Sequence, residues 1–212
     1  MKLLILCEGE TEERFVKDVL APYLEKSNIY AIPKNLGGVS KYSIIRTELD
    51  ILCRDSSAFV TTMLDYYKLP KDTPGKGGTG DIYKVSSEIE AAVKSNLAEH
   101  RNLLVNLIIH EFEGLLFSDV SAFLGEAKAD DKTLLELAHI KNNPKFPTPE
   151  HINNSEMTAP SKRIKGILPE YVKTLNGIPI AKRIGIEKIA EECQHFRAWL
   201  ENIQALGQEG TQ

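Results

Sequence analysis

Between Lys2 and Cys7 the chain reads Lys-Leu-Leu-Ile-Leu-Cys, an apolar run without alternation, and it stops on Glu8-Gly9-Glu10-Thr11-Glu12-Glu13. A short continuous apolar run bounded by a glycine turn reads as a strand buried on both faces, the kind found in parallel sheets. The glutamates that follow suit the positive end of a helix dipole. Strand, turn and helix start together make the first half of a βαβ unit, and ligands of open α/β sheets bind outside the carboxyl ends of the strands. Glu8 therefore falls where such sites form. Two later strand-like runs also end on acids: Phe59 to Asp65, and Leu103 to Glu111 and Glu113. Three strand ends carrying carboxylates point to one shared divalent-metal site.

The alternation continues beyond the first unit. A helix is expected from Thr11 to Glu25 with Phe15, Val19, Leu20 and Leu24 on its inner face, then a strand from Ile29 to Leu36 closed by Gly37-Gly38. Ser40 to Cys53 has Ile44, Ile45, Leu49 and Leu52 at helical spacing, Ala58 to Leu64 is rich in strand-forming residues, and Asp81 to Glu99 reads as a helix. Asn102 to His110 is a third strong strand. This order predicts an α/β fold with a mostly parallel central sheet covered by helices on both faces. After Glu113 the character changes: Gly114–Leu124 and Asp130–Ile140 look helical, residues 142–160 form a proline-rich loop, and a last helix is expected around Ile186–Ile203. The expected division is an α/β core over 1–125, a helical extension packed on it over 126–203, and a disordered polar tail over 204–212.

Function classes narrow with composition. The chain has 212 residues, 26 basic and 30 acidic, for a net charge of −4, which argues against wholesale coating of nucleic acid. Charge is unevenly spread, however. Between Ser161 and Lys188 seven basic residues face two acidic ones, a local net of plus five. Cys7, Cys53 and Cys193 form no CxxC and no even framework, so a reduced, cytoplasmic setting is expected. The first apolar run is too short for a signal peptide, no run approaches a membrane span, and no membrane association is expected.

The acids can be weighed one by one. Glu8 and Glu12 are four apart, so a turn followed by a helix can bring their side chains over one strand end. Asp65 closes the second strong strand, and Glu111 and Glu113 follow the third. Such oxygen donors suit a hard ion, Mg²⁺ or Mn²⁺, shared with waters and a substrate phosphate. For Glu8, Asp65 and Glu113 the strand-end position favours the metal reading; Glu12 and Glu111 stay open; Glu10 and Glu13 are explained by the dipole alone.

The segment Cys7-Glu8-Gly9-Glu10-Thr11-Glu12-Glu13-Arg14-Phe15-Val16, with the second strand ending on Asp65, resembles the Toprim domain of topoisomerases, primases, recombination-repair proteins and nucleases of the overcoming-lysogenization-defect type. With Leu64-Asp65-Tyr66-Tyr67-Lys68-Leu69-Pro70, His110-Glu111-Phe112-Glu113-Gly114-Leu115-Leu116-Phe117-Ser118-Asp119 and the stretch from Pro160-Ser161-Lys162-Arg163 through Cys193-Gln194-His195-Phe196, it is similar to one uncharacterised bacterial Toprim-like family of the domain-of-unknown-function kind. The resemblance implies a Toprim-like Rossmannoid sandwich and Mg²⁺-dependent phosphoryl transfer, most simply a nuclease acting on DNA or RNA. It implies Glu8 as general acid or base and Asp65 as metal ligand. A partner ATPase and a phage-defence setting belong to the same implication. The usual Asp-x-Asp reads Asp65-Tyr66-Tyr67 here, so Glu111 or Glu113 supplies the missing oxygen, or metal binding is weaker, or catalysis is gone. Lys173, Lys162 and Arg163 are the candidate cations for transition-state charge. The rival readings are an inactive module binding nucleic acid, nucleotide or a partner protein, and a nucleotidyl transferase resembling a small primase.

Other patterns carry less. Gly75-Lys76-Gly77-Gly78-Thr79-Gly80 matches GxGxxG but follows a proline-containing loop rather than a strand, so a lid or plain loop is expected. His110, His139, His151 and His195 lack zinc-type spacing with cysteine.

Overall fold

The computed structural model describes residues 1–127, 129–153 and 155–209. The chain divides into two compact units, the first made of residues 1–108 and the chain from Asn202, the second of residues 109–201. The break falls at Ile108, ahead of the expected 125.

Five strands build the sheet of the first unit: β1 (Lys2–Cys7), β2 (Tyr30–Asn35), β3 (Ala58–Asp65), β4 (Leu103–Leu104) and β5 (Leu107–Ile108). The order is β2-β1-β3-β4, with β5 also on β3, and each of these pairings is parallel. This is an α/β fold of generic Rossmannoid arrangement. The chain passes outward from β1 to β2, then returns across β1 to β3. The topological switch point therefore lies between β1 and β3, and their carboxyl ends flank it.

The strand after which the chain first turns feeds a three-part helix: α1 (Glu10–Phe15), a π segment (Val16–Leu20) and α2 (Ala21–Glu25). A single regular helix was the expectation. Pro22 explains the difference, because it lacks a backbone N–H and its ring crowds the carbonyl one turn back, which the wider π turn accommodates. α3 (Tyr42–Cys53) and α4 (Ile82–Ser95) connect the later strands. α3 turns Tyr42, Ile45, Leu49 and Cys53 inward, whereas Ile44 is 40% exposed, so the buried stripe is rotated from the one expected. With Val85, Ile89 and Val93 of α4 these side chains cover Leu4, Leu6, Val60 and Leu64 on one face of the sheet. Leu3, Ile5 and Cys7 point to the other face by strand alternation and are fully buried.

The third strong strand is interrupted. In place of one strand over Asn102–His110 the chain makes β4 and β5, with Val105 and Asn106 between them. Thr62 is the cause: its buried hydroxyl accepts from the Asn106 N–H at 2.8 Å and donates to the Asn106 carbonyl at 2.5 Å, replacing ladder bonds. Thr62→Val keeps the shape but leaves a buried N–H without its acceptor. A loss of about 1–2 kcal/mol in urea unfolding is expected; an unchanged midpoint would show that the backbone closes the ladder by itself.

β2 is an edge strand. The Tyr30 N–H donates to the Met1 carbonyl and the Leu36 N–H to the Cys7 carbonyl, so even-numbered residues face β1. Pro33 therefore faces the open edge, where it has no N–H to offer.

The second unit is helical: α5 (Glu113–Leu116), α6 (Phe123–Glu126), α7 (Asp131–Lys141), α8 (Pro160–Ile167), α9 (Ile178–Ile184), α10 (Ile186–Glu192) and the first half of α11 (Gln194–Glu209). Phe112, Phe117, Phe123, Leu137, Ile164 and Tyr171 are among its buried side chains. The helix expected over Gly114–Leu124 stops early, because the Asp119 carboxylate accepts from the Ser121 N–H and opens a separate 3-10 turn, Val120–Ala122. The expected Ile186–Ile203 helix breaks at the extended residue Cys193 and restarts at Gln194. There the Glu150 carboxylate accepts the backbone N–H groups of His195 at 2.9 Å and Phe196 at 3.0 Å. α11 then runs through residues 204–209, which corrects that part of the expected disordered tail; residues 210–212 lie outside the described residues.

Candidate functional site

At the switch point the β1–β3 ladder ends with the Glu8 N–H donating to the Met63 carbonyl at 3.3 Å. Glu8 accepts at its own carbonyl from the Gly38 N–H at 3.0 Å, which ties the Gly37-Gly38 turn to the same edge. Asp65 is the last residue of β3 and only 2% exposed. Glu8 and Asp65 are both among the residues that border a narrow cleft at this edge, together with Lys68, Val39, Ile45 and Leu69.

Glu12 lies in the first turn of α1 and is buried. Its carboxylate folds back over the glycine turn, 3.5 Å from where a Cβ on Gly9 would stand. Burial first, then the charges of Glu12 and Glu13, push the Cys7 thiol far above its ordinary range, so this cysteine stays protonated. Glu13 is held as an anion by bonds from Lys17 at 2.5 Å and Asn35 at 2.7 Å, a structural role in line with the dipole reading.

Lys68 was not among the expected cations. It enters the cleft because Tyr66–Lys68 forms a 3-10 turn directly after Asp65, and a three-residue turn returns residue i+3 over residue i. The glycine-rich loop that holds Gly75–Gly80 is stitched to this turn: the Lys76 ammonium donates to the carbonyls of Leu69 and Tyr66 and stands over the Tyr66 ring. Asp72 of the same loop accepts the Tyr42 N–H at the start of α3. The loop is thus anchored to the edge through Lys76 and Asp72.

The remaining expected residues belong to the second unit. Glu113 is 2% exposed, and its Oε2 lies 3.4 Å from the Lys173 ammonium, which also stands over the Phe112 ring. Burial raises the Glu113 carboxyl above its ordinary range, against the pull of Lys173. Tyr171, missed in the sequence reading, is buried beside this pair. Its hydroxyl is pushed far up by burial first and then by the Glu113 charge. Glu111 accepts the Ser161 N–H at 3.1 Å. Lys162 is exposed. Arg163 is turned to structural use, donating to the Thr158 carbonyl at 2.7 Å and stacking over Phe146. The basic stretch is also partly neutralised: Arg183 pairs with Glu126, and Lys188 with Glu191 and Glu192.

A family described as a domain of unknown function, DUF4276, matches residues 7–204. The chain belongs to the DUF4276 family. No curated protein and no solved structure matches it. The span shared with DUF4276 includes Glu8, Asp65, Glu113 and Lys173 and therefore both candidate groupings, but the family description assigns no activity. Among the described residues of this DUF4276 chain no helix is long and apolar enough to cross a membrane.

Glu8, Glu12 and Asp65 do not bring three ligand oxygens within 4.8 Å of one another; among the described residues the trio that does is Asp50, Glu99 and His100. These three form a candidate metal-binding cluster, overlooked in the sequence because Asp50 lies fifty residues from its partners. Asp50 sits in the last turn of α3, ahead of β3, and His100 precedes β4, so the cluster is at the amino edge of the sheet, opposite the Glu8–Asp65 cleft.

Proposed function

We propose that this chain is a Toprim-like module that holds a phosphate-bearing ligand, a nucleotide or a nucleic-acid strand, at the carboxyl edge of its sheet with Mg²⁺ or Mn²⁺. The observation that supports this reading is that Glu8 and Asp65, at the ends of β1 and β3, border one narrow cleft at the topological switch point. The donors there are carboxylate oxygens, the chemistry a hard divalent ion prefers. Glu8, Asp65 and Glu12 would hold the ion. Once bound, it would neutralise phosphate oxygens that the acids alone would repel. Lys68 on the cleft wall adds a positive charge for the same oxygens.

A second reading is phosphoryl transfer of the nuclease type. It is favoured by the half-buried position of Glu8 beside Asp65, from which Glu8 can pass a proton to a leaving oxygen. Binding is preferred because Tyr67 occupies the place of the second Asp-x-Asp carboxylate and Glu8, Glu12 and Asp65 do not close into a tight trio. A partner ATPase, a role in phage defence and a cytoplasmic setting rest on the resemblance and the cysteine pattern. Of the acids in the second unit, Glu113 already has Lys173 as its counter-charge.

The test is fluorescence anisotropy with labelled single-stranded DNA, RNA and ADP, with Mg²⁺ or with EDTA. Asp65→Asn is expected to weaken metal-dependent binding by about 10–100-fold, the scale on which metal-site substitutions act. Binding that ignores both EDTA and Asp65→Asn overturns the proposal. Metal-dependent cleavage reduced about 10²–10⁴-fold by Glu8→Gln replaces it with the nuclease reading.

A further inference from the structure

The Asp50–Glu99–His100 cluster owes nothing to the cleft at the carboxyl edge, and its construction is more deliberate than a surface ion pair. The His100 Nε2 lies 2.9 Å from Asp50 Oδ1 and 3.8 Å from Glu99 Oε1, so two carboxylates converge on one ring nitrogen. Ligands bound at zinc distances in a tetrahedron stand about 3.3 Å from one another, which the two separations bracket. The second Asp50 oxygen, Oδ2, accepts from Arg54 at 2.6 Å, an outer-shell bond that fixes the carboxylate while leaving Oδ1 to face the imidazole.

The supports behind these side chains are fixed as well. The His100 side chain is 14% exposed. Its carbonyl accepts from the Lys94 ammonium, and its N–H donates to the Leu97 carbonyl at 3.1 Å. The turn after α3 and the loop before β4 are sewn together by one side chain: Asn102 donates to the carbonyls of Cys53, Asp55 and Ala58 at 3.2, 3.3 and 2.9 Å. Asp50 also stands in the last turn of α3, where the negative end of the helix dipole disfavours an acid and favours a cation.

We propose that Asp50 Oδ1, Glu99 Oε1 and His100 Nε2 bind one divalent ion of the zinc class, which staples the α3–β3 turn to the loop before β4 and keeps one position for water. One nitrogen and two carboxylate oxygens suit Zn²⁺ better than Mg²⁺. An ion bound at Nε2 takes the place of the Nε2–Oδ1 hydrogen bond, and the ring's N–H is then carried on Nδ1.

Calorimetric titration of zinc chloride into the full chain at pH 7.5 tests this, with thermal unfolding as a second readout. One ion per chain is expected, with a rise in Tm on saturation. His100→Gln and Asp50→Asn each weaken binding at least tenfold and abolish the rise, while a Glu8→Gln/Asp65→Asn variant keeps both. Should the His100 variant fail to fold, the wild-type His100 ring resonances are followed by NMR, and the exposed ligand is removed by Glu99→Gln. Zinc then shifts those resonances in wild type and does so only at higher concentration in Glu99→Gln. Saturable zinc binding unaltered by His100→Gln or Glu99→Gln, or no binding by wild type, overturns the proposal and leaves the cluster an ion pair.

Discussion

Lys173→Met is expected to destabilise the protein by about 2–3 kcal/mol near pH 7, a fall of roughly 5–10 °C in Tm. The methionine keeps the side chain's stem against Phe112 but removes the charge 3.4 Å from the buried Glu113 carboxylate. Breaking a buried pair costs more than the pair contributes, because an uncompensated charge stays behind; the partial exposure of Lys173 sets the expectation at the lower end. The pH dependence has a definite sign. Burial raises the Glu113 carboxyl in the folded state, so the folded protein holds that proton more tightly than the unfolded chain does. Its contribution is fully present below the unfolded glutamate value of about 4.3 and is lost as pH rises through the raised folded value. Removing Lys173 takes away an influence that lowers this value, so the window extends further toward neutral pH. Wild type and variant should be nearly equal at pH 4 and furthest apart near pH 7, and Glu113→Gln added to Lys173→Met should recover most of the loss. Equal destabilisation at both pH values would assign the effect to packing.

Glu150→Ala is expected to cost about 3 kcal/mol, or roughly 6–12 °C in Tm. The carboxylate is 3% exposed and caps α11 by accepting two successive N–H groups, so its removal strands two donors at a helix start. Glu150→Gln keeps one acceptor oxygen and should recover about half. Thermal unfolding of the pair measures this, and an alanine variant within about 1 kcal/mol of wild type would mean that water serves both donors.

The parts of the fold written most clearly in the sequence are those fixed by local pattern. β1 and β3 are buried along almost their whole length, and α3 runs to Cys53 as its helical spacing predicts, although its buried stripe is turned toward Tyr42 and Cys53. What local pattern does not carry is long-range substitution of one bond for another. The Thr62 hydroxyl splits Asn102–His110 from forty-four residues away, and the Glu150 carboxylate starts α11 from forty-five. The candidate site divides along the same line. Glu8 and Asp65 could be placed because strand ends mark the edge of a parallel sheet. Lys68 depended on an unforeseen 3-10 turn, Arg163 on Thr158 and Phe146, and His100 on a carboxylate from a different helix.

Pro33 has a bearing on self-association. Opposite β2, the sheet ends in β4 and β5, which are two residues each. One flank thus lacks a donor in its middle and the other is too short to template a full-length neighbour. Two copies of this protein therefore gain little by aligning main chains into a longer shared arcade. Any homodimer should be sealed by side chains, and its interface should be sought among the helices.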